Sequence, residues 1–78
     1  MHSWSGLWAR EGDTFLNARF GRTEGEAAHT RVVLEGVTLY EFDREGRLQS
    51  IAQAERAEHA DARWTLHQVH RAFFETRQ

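Results

Sequence analysis

LEGVTLYEFDREGRLQSI, residues 34–51, is the stretch that decides the fold. On an extended chain Val37, Leu39 and Glu41 point one way, while Thr38, Tyr40 and Phe42 point the other. Asp43-Arg44-Glu45-Gly46 follows as a short acidic loop with one glycine, and residues 47–53 return as a second strand. Two alternating runs around such a loop are a β-hairpin signature. The chain is therefore expected to build sheet.

Upstream, residues 7–20 read as another hairpin, turning at Arg10-Glu11-Gly12-Asp13 with Gly12 at a positive-φ position. Symmetric closure of that turn would set Trp8 across from Phe15, a cross-strand aromatic pair contributing roughly 0.2–1 kcal/mol. Residues 21–30 (GRTEGEAAHT) are polar and aperiodic and read as a mobile loop. Residues 31–43 form the central strand region, which Gly36 interrupts with a bulge or bend. Downstream, AQAERAEHADAR is rich in helix formers, and Ile51, Ala54, Ala57 and Ala60 lie near helical spacing. Residues 51–60 are thus open to helix or strand. Against helix, Trp64-Thr65-Leu66 alternates and Asp61-Ala62 can turn between strands. Val69, Ala72 and Phe73 return to helical spacing.

The chain has 78 residues, enough for one domain. A chain this short buries only about 60% of its unfolded surface, so its stability is marginal. It contains no cysteine, which removes disulfides and thiolate metal sites as supplements to the core. Without proline, one common protection of edge strands is missing. No run approaches the roughly 18 apolar residues of a membrane span, and Met1-His2-Ser3-Trp4 lacks the layout of a signal peptide. The ten basic residues are all arginine, a bias of composition rather than of ligand, and the net charge of -2 offers no attraction to phosphate backbones.

Reactive machinery is not evident. His67 and His70 could share a metal on a helix but would face opposite ways on a strand; with no cysteine and only Glu75 nearby, they read as surface histidines. His2, His29 and His59 sit among polar neighbours and read as solvated. Glu41 with Asp43, and Glu55 with Glu58, read as solvated carboxylates rather than an acid/base pair. No serine sits in an elbow motif and no glycine pattern matches a phosphate loop. No cofactor is expected, and the chain is not expected to be an enzyme. What remains is aromatic: Trp4, Trp8, Trp64, Phe15, Phe20, Tyr40, Phe42, Phe73 and Phe74. They are either the core of a small β domain or, in part, the lining of an open groove.

Three segments together resemble one family. SGLWAREGDTF (residues 5–15) is similar to the opening of the periplasmic domain of the LptG-type permease subunit of the lipopolysaccharide exporter. LEGVTLYEFD (residues 34–43), with GRLQSI (residues 46–51) and Ala54, resembles its next two strands, and Trp64-Thr65-Leu66 with Val69 the strand after those. Gly6-Leu7-Trp8 favours the LptG type over its LptF-type relative. The resemblance implies an all-β fold, a partial β-jellyroll of antiparallel, hairpin-connected strands with open edges. It places the single domain, residues 1–78, in the periplasm above an inner-membrane permease driven by a cytoplasmic ATPase dimer. Lipopolysaccharide would pass along an apolar groove toward a periplasmic bridge of similar jellyrolls, with neighbours joined by edge-strand pairing. Under the same resemblance residues 51–60 are strand, membrane helices and the last jellyroll strands are expected to be absent from this chain, and the isolated piece is expected to self-associate through an open edge.

Residues and resemblance converge on one mechanism. An apolar groove shelters acyl chains from water at roughly 25 cal/mol per Å². Trp8, Phe15, Val37, Leu39, Leu48, Ile51, Trp64 and Leu66 are the candidates for core or groove. Leu48 and Ile51 have opposite parity, so one faces out unless a bulge intervenes. Two other readings compete. One is an OB-like barrel that stacks single-stranded nucleic acid on Tyr40 and Phe42 beside Arg44 and Arg47, against which the net charge argues. The other is a structural module that docks partners and touches no lipid.

Overall fold

Gly12 reverses the chain for the first time. It takes φ +59° at the first central position of a two-residue turn closed by the Glu11–Thr14 pair, and Asp13 beside it keeps negative φ, the pattern of a type II′ hairpin. A computed structural model describes residues 3–74. His2 and Glu75, considered above, lie outside that range. The strands are β1 (Ser3–Glu11), β2 (Thr14–Glu24), β3 (Arg31–Phe42), β4 (Leu48–Ala60) and β5 (Arg63–Phe73). Each pairs antiparallel with its sequence neighbour, so one open sheet runs in the order β1-β2-β3-β4-β5, with β1 and β5 at the edges. This all-β meander fits a partial β-jellyroll and differs from the Greek-key order of an OB barrel.

The hairpin of residues 34–51 forms as its alternation implies. Its loop is built around Asp43, whose Oδ1 accepts the backbone N–H groups of Glu45 and Arg47, each at 2.9 Å. Asp43 N–H donates to Arg47 O, and Gly46 N–H donates to Asp43 O. These bonds, Arg47 N–H first, hold the Asp43 carboxyl below its ordinary value. Residues 51–60 are strand, so the helical option falls. β4 also runs seven residues past the expected end at Gln53. Residues 21–30 are not a loop throughout: Gly21 to Glu24 continue β2, and only a short 3₁₀ turn, Ala27–His29, separates it from β3.

The four ladders each skip one pair, and the skipped positions lie on one transverse line: Gly6, Arg19, Gly36, Glu55, Gln68. On the alternate strands β1, β3 and β5 the residue on this line has positive φ: Gly6 +64°, Gly36 +63°, Gln68 +57°. The register is unchanged across the line, but the side-chain parity inverts there. Ala18, Leu34, Val37, Ala54 and Ala57 form one buried cluster, against which Leu7, Leu16, Val32, Leu39 and Leu66 pack. On this inner face the step across the line is three residues where a flat strand would give two. It runs Leu34 to Val37 on β3, Ala54 to Ala57 on β4 and Leu66 to Val69 on β5. Two consecutive residues, such as Glu35-Gly36 or Glu55-Arg56, therefore face out together, as at a bulge or corner.

On the inner side of the bend, β2 and β4 contribute small groups that pack against Leu34 and Val37 of β3. Ala18, Ala54 and Ala57 are buried there. At Gly21 an added Cβ would lie 3.0 Å from both Leu34 Cδ2 and the Trp4 ring. Ala54 and Ala57, two of the alanines that imitate a helix in the sequence, are thus the inner lining of a corner.

Candidate functional site

The inner face carries a groove of about 480 Å³, lined by Ala9, Arg10, Glu11, Thr14, Leu16 and Leu39 on one side of the bend, and by Trp64 and Leu66 on the other. Along a flat strand Leu66 would lie far from Leu16; the bend brings the two inner half-faces together around the cavity. Its middle is aliphatic, and its charge comes from Glu11 at the end of β1, where Arg10 contributes to the rim while its guanidinium turns to the outer face. Beside it, Ser50 is 2% exposed and donates its hydroxyl to Glu41 Oε1 at 2.6 Å. The same oxygen accepts from Arg71 Nε at 3.0 Å, so this buried hydroxyl and the inner-face carboxylate are both partnered.

The outer face holds a separate apolar cleft of about 250 Å³, lined by Trp8, Phe15, Tyr40 and Phe42. Trp8 stacks on Tyr40 with ring centres 6.0 Å apart, and Phe15 meets Phe42 edge-on at 5.6 Å. Arg10 lies over the Phe15 ring at 5.2 Å. On the far side of the bend this same face carries a cluster of ion pairs beside Phe20 and Val33. Arg22 bridges Glu24 and Glu35, and Arg31 adds to Glu24 at 2.9 Å. Hydrogen bonds from Arg31 first and Arg22 second keep the Glu24 carboxyl below its usual range.

The eight candidate residues divide between these places. Leu39, Trp64 and Leu66 line the inner groove, and Val37 lies in the core beneath it at 1% exposure. Trp8 and Phe15 belong to the outer cleft. Leu48 and Ile51 share that outer face, because Leu48 pairs with Phe42 and Ile51 with Tyr40. The parity conflict between them is resolved by the register shift at Glu41/Phe42, which makes Gln49 an extra residue on β4. Trp8 is not opposite Phe15: the two-residue turn pairs Trp8 with Asn17 and Phe15 with Arg10, so the aromatic contact of Trp8 runs diagonally to β3.

Sequence reasoning missed Ala9, Thr14 and Leu16 in the groove and Tyr40 and Phe42 as the ring partners of Trp8 and Phe15. The alternation Val37-Leu39, carried across the register to Ala18 and Leu16, would have found the first group. The histidines also sit differently from expectation. The bend lies between His67 and His70, so both face outward, His67 Nε2 standing 3.8 Å from Glu58 Oε2 and His70 opposite Gln53. His59 is half-buried and packs on Trp64 with ring centres 4.7 Å apart. Among the described residues, no three His, Cys, Asp or Glu side chains gather as a metal site, and no helix is long and apolar enough to cross a membrane. What this geometry offers chemically is apolar shelter with two unpaired sheet edges beside it.

Compared with known proteins, residues 3–77 match the family model described as lipopolysaccharide export system permease LptF/LptG. No curated protein matches the chain significantly.

Proposed function

Since this chain belongs to the LptF/LptG family of lipopolysaccharide export permeases, we propose that it is the periplasmic domain of an LptG-type subunit and gives lipopolysaccharide acyl chains a sheltered path. The family is one of transporters rather than enzymes. The energy for transport comes from a separate cytoplasmic ATPase, and this domain contributes a surface of graded affinity. The inner groove is the acyl-chain site, with Leu16, Leu39, Trp64 and Leu66 as its apolar wall. The open edges, β1 and β5, pair with the partner permease subunit and with the jellyrolls of the periplasmic bridge, so that one groove continues into the next.

The observation that carries this reading is the groove itself: about 480 Å³ between two half-faces, with an aliphatic middle and charge at one end. A chain of methylenes gains about 0.8 kcal/mol for each one buried in such a place. The test is site-specific photo-crosslinking in cells, with the photoreactive side chain placed at Leu39 and Leu66 on the inner face and at Leu48 and Ile51 on the outer. Lipopolysaccharide adducts from the inner pair, with protein adducts or none from the outer pair, are expected. Protein adducts alone from all four positions would make the domain a docking module and end the lipid reading.

A further inference from the structure

We propose that the first half of β5, residues 63–67, is a gate on the groove that pivots at Gln68. Among the described residues, positive φ outside glycine occurs at three positions: Asp61 (+53°), Ala62 (+58°) and Gln68 (+57°). All three bracket this one segment. Left-handed backbone is disfavoured for any residue with a Cβ, and such strain persists only where the surroundings hold it. Asp61-Ala62 makes the β4–β5 turn with positive φ at both central residues, a conformation for which Asn-Gly is the usual choice. Gln68 stands on the bend line at the position where β1 and β3 carry Gly6 and Gly36.

The strained segment carries one wall of the groove. Trp64 and Leu66 line the cavity from β5, while its other lining residues come from β1, β2 and β3. β5 is an edge strand, held by β4 alone. The β4–β5 ladder skips the Glu55–Gln68 pair, so the pivot has no regular backbone pairing. Its side chain supplies the tie instead: the Gln68 amide, oriented by its hydrogen bonding, donates to the Glu55 carboxylate, at 3.1 Å to Oε1.

The two states follow from parity. With Gln68 left-handed, the inner face steps from Val69 to Leu66, and Trp64 and Leu66 face the cavity. If Gln68 relaxes to ordinary extended backbone, strict alternation returns, and Thr65 and His67 take the inward positions while Trp64 and Leu66 swing out. One dihedral change at an edge residue thus removes the groove's apolar wall and opens it sideways. The gate rests on the reading of the groove as an acyl-chain site: entry takes place in the open state, and a bound chain favours the closed one.

The absence of native cysteine makes the test direct. Spin labels at Asp13→Cys, in the exposed turn near the groove, and at Arg63→Cys, at the start of the gate, report the gap as a distance distribution by pulsed electron resonance. The ligand probe is a monoacyl phospholipid with a lauroyl chain, held below its micelle concentration. Its binding is followed separately by Trp64 emission after Trp4→Phe and Trp8→Phe. Two distance populations are expected. In a Glu55→Ala background, where the side-chain tie is already gone, Gln68→Gly, which removes the left-handed penalty, should raise the short-distance population about fivefold; Gln68→Val should favour the long one, and lipid should shift each toward the short. A single distance, unchanged by lipid and by Gln68→Gly while the lipid still binds, would overturn the gate and leave the groove. Failure of Trp64 emission to register lipid at any concentration tested would overturn the acyl-chain reading, and the gate's role with it.

Discussion

Replacing Gly36 with alanine puts the bend line under the most direct strain. Gly36 lies at φ +63° in the middle of the central strand, where a left-handed alanine costs about 1–2 kcal/mol. The added Cβ would also lie 2.6 Å from Arg19 Cδ, 3.0 Å from Cγ and 3.1 Å from Cβ. The end of an exposed arginine can swing away, but its Cβ moves only with the β2 backbone. The sum is about 2 kcal/mol, set against a total of about 4–12 kcal/mol for a chain of this length. At about 4–8 °C per kcal/mol for a domain of this size, the melting temperature should fall by about 8–16 °C. Urea and thermal unfolding, followed by tryptophan emission and far-ultraviolet circular dichroism, measure this. An Arg19→Ala background removes the Cγ and Cδ contacts and should recover that part of the cost, leaving the Cβ contact and the backbone cost of about 1–2 kcal/mol. A Gly36→Ala protein within about 0.5 kcal/mol of the parent, the range of an ordinary surface change, would mean that the strand does not turn left-handed there. The inverted parity, the folded-over groove and the gate would all go with it.

Ser50→Ala removes the hydroxyl bonded to Glu41 and should cost about 1 kcal/mol in urea unfolding; no change would show that Arg71 alone satisfies the carboxylate. Asp43 has its carboxyl held below the ordinary value of 3.8, so the stability it contributes is complete above that value and is lost as the pH falls through its lower folded value. Urea midpoints measured between about pH 5 and pH 2 should therefore fall less steeply for Asp43→Asn than for the parent, and parallel curves would place the acid sensitivity elsewhere. With β1 and β5 unpaired on one side, the isolated chain should self-associate in sedimentation velocity, and Thr65→Lys on the β5 edge should weaken that if β5 is the edge used. A clean monomer of the parent at high concentration would refute it.

The hairpin of residues 34–51 was legible because two runs of strand-forming residues flank a short polar loop that has a glycine where the turn needs one. The bend was only half legible. Gly36 marks it, yet on β2 and β4 the line falls at Arg19 and Glu55, which carry no conformational signal, and on β5 it falls at Gln68. Its real signature is the three-residue step on every inner strand face, and on β4 the step from Ala54 to Ala57 is the spacing of a helix. Local pattern could not separate the two, because a corner in a strand and a turn of helix both bring residues three apart onto one face. The aromatic pairing failed for a simpler reason. A turn shorter by two residues shifts the register, and Trp8 meets Tyr40 where Phe15 was expected. Likewise, no reading of residues 48–51 alone places the extra residue at Gln49 that lets Leu48 and Ile51 share a face.

The open form of the sheet has a consequence for retention of lipid. A saturated chain of about twelve carbons, fully enclosed, would gain on the order of 10 kcal/mol, which corresponds to a dissociation constant of tens of nanomolar and slow release. A relay cannot work from so deep a minimum, since each step must give the chain up. In a groove that leaves half of each methylene in contact with water, the gain falls to about 5 kcal/mol and the constant to a fraction of a millimolar. Two features of this chain keep the enclosure partial. The sheet does not close between β1 and β5, and the bend line, with alanine and glycine on its concave side, brings the half-faces together over a short length only. Adding wall to the groove should then deepen binding at the expense of passage. Ala9 lines the cavity and is exposed to it, and Ala9→Val enlarges the apolar wall there without crowding the core. If partial enclosure sets the rate of hand-over, this variant should hold a lauroyl lipid more tightly in vitro and export lipopolysaccharide more slowly in cells. Tighter binding with unimpaired export would separate retention from transport and refute the argument.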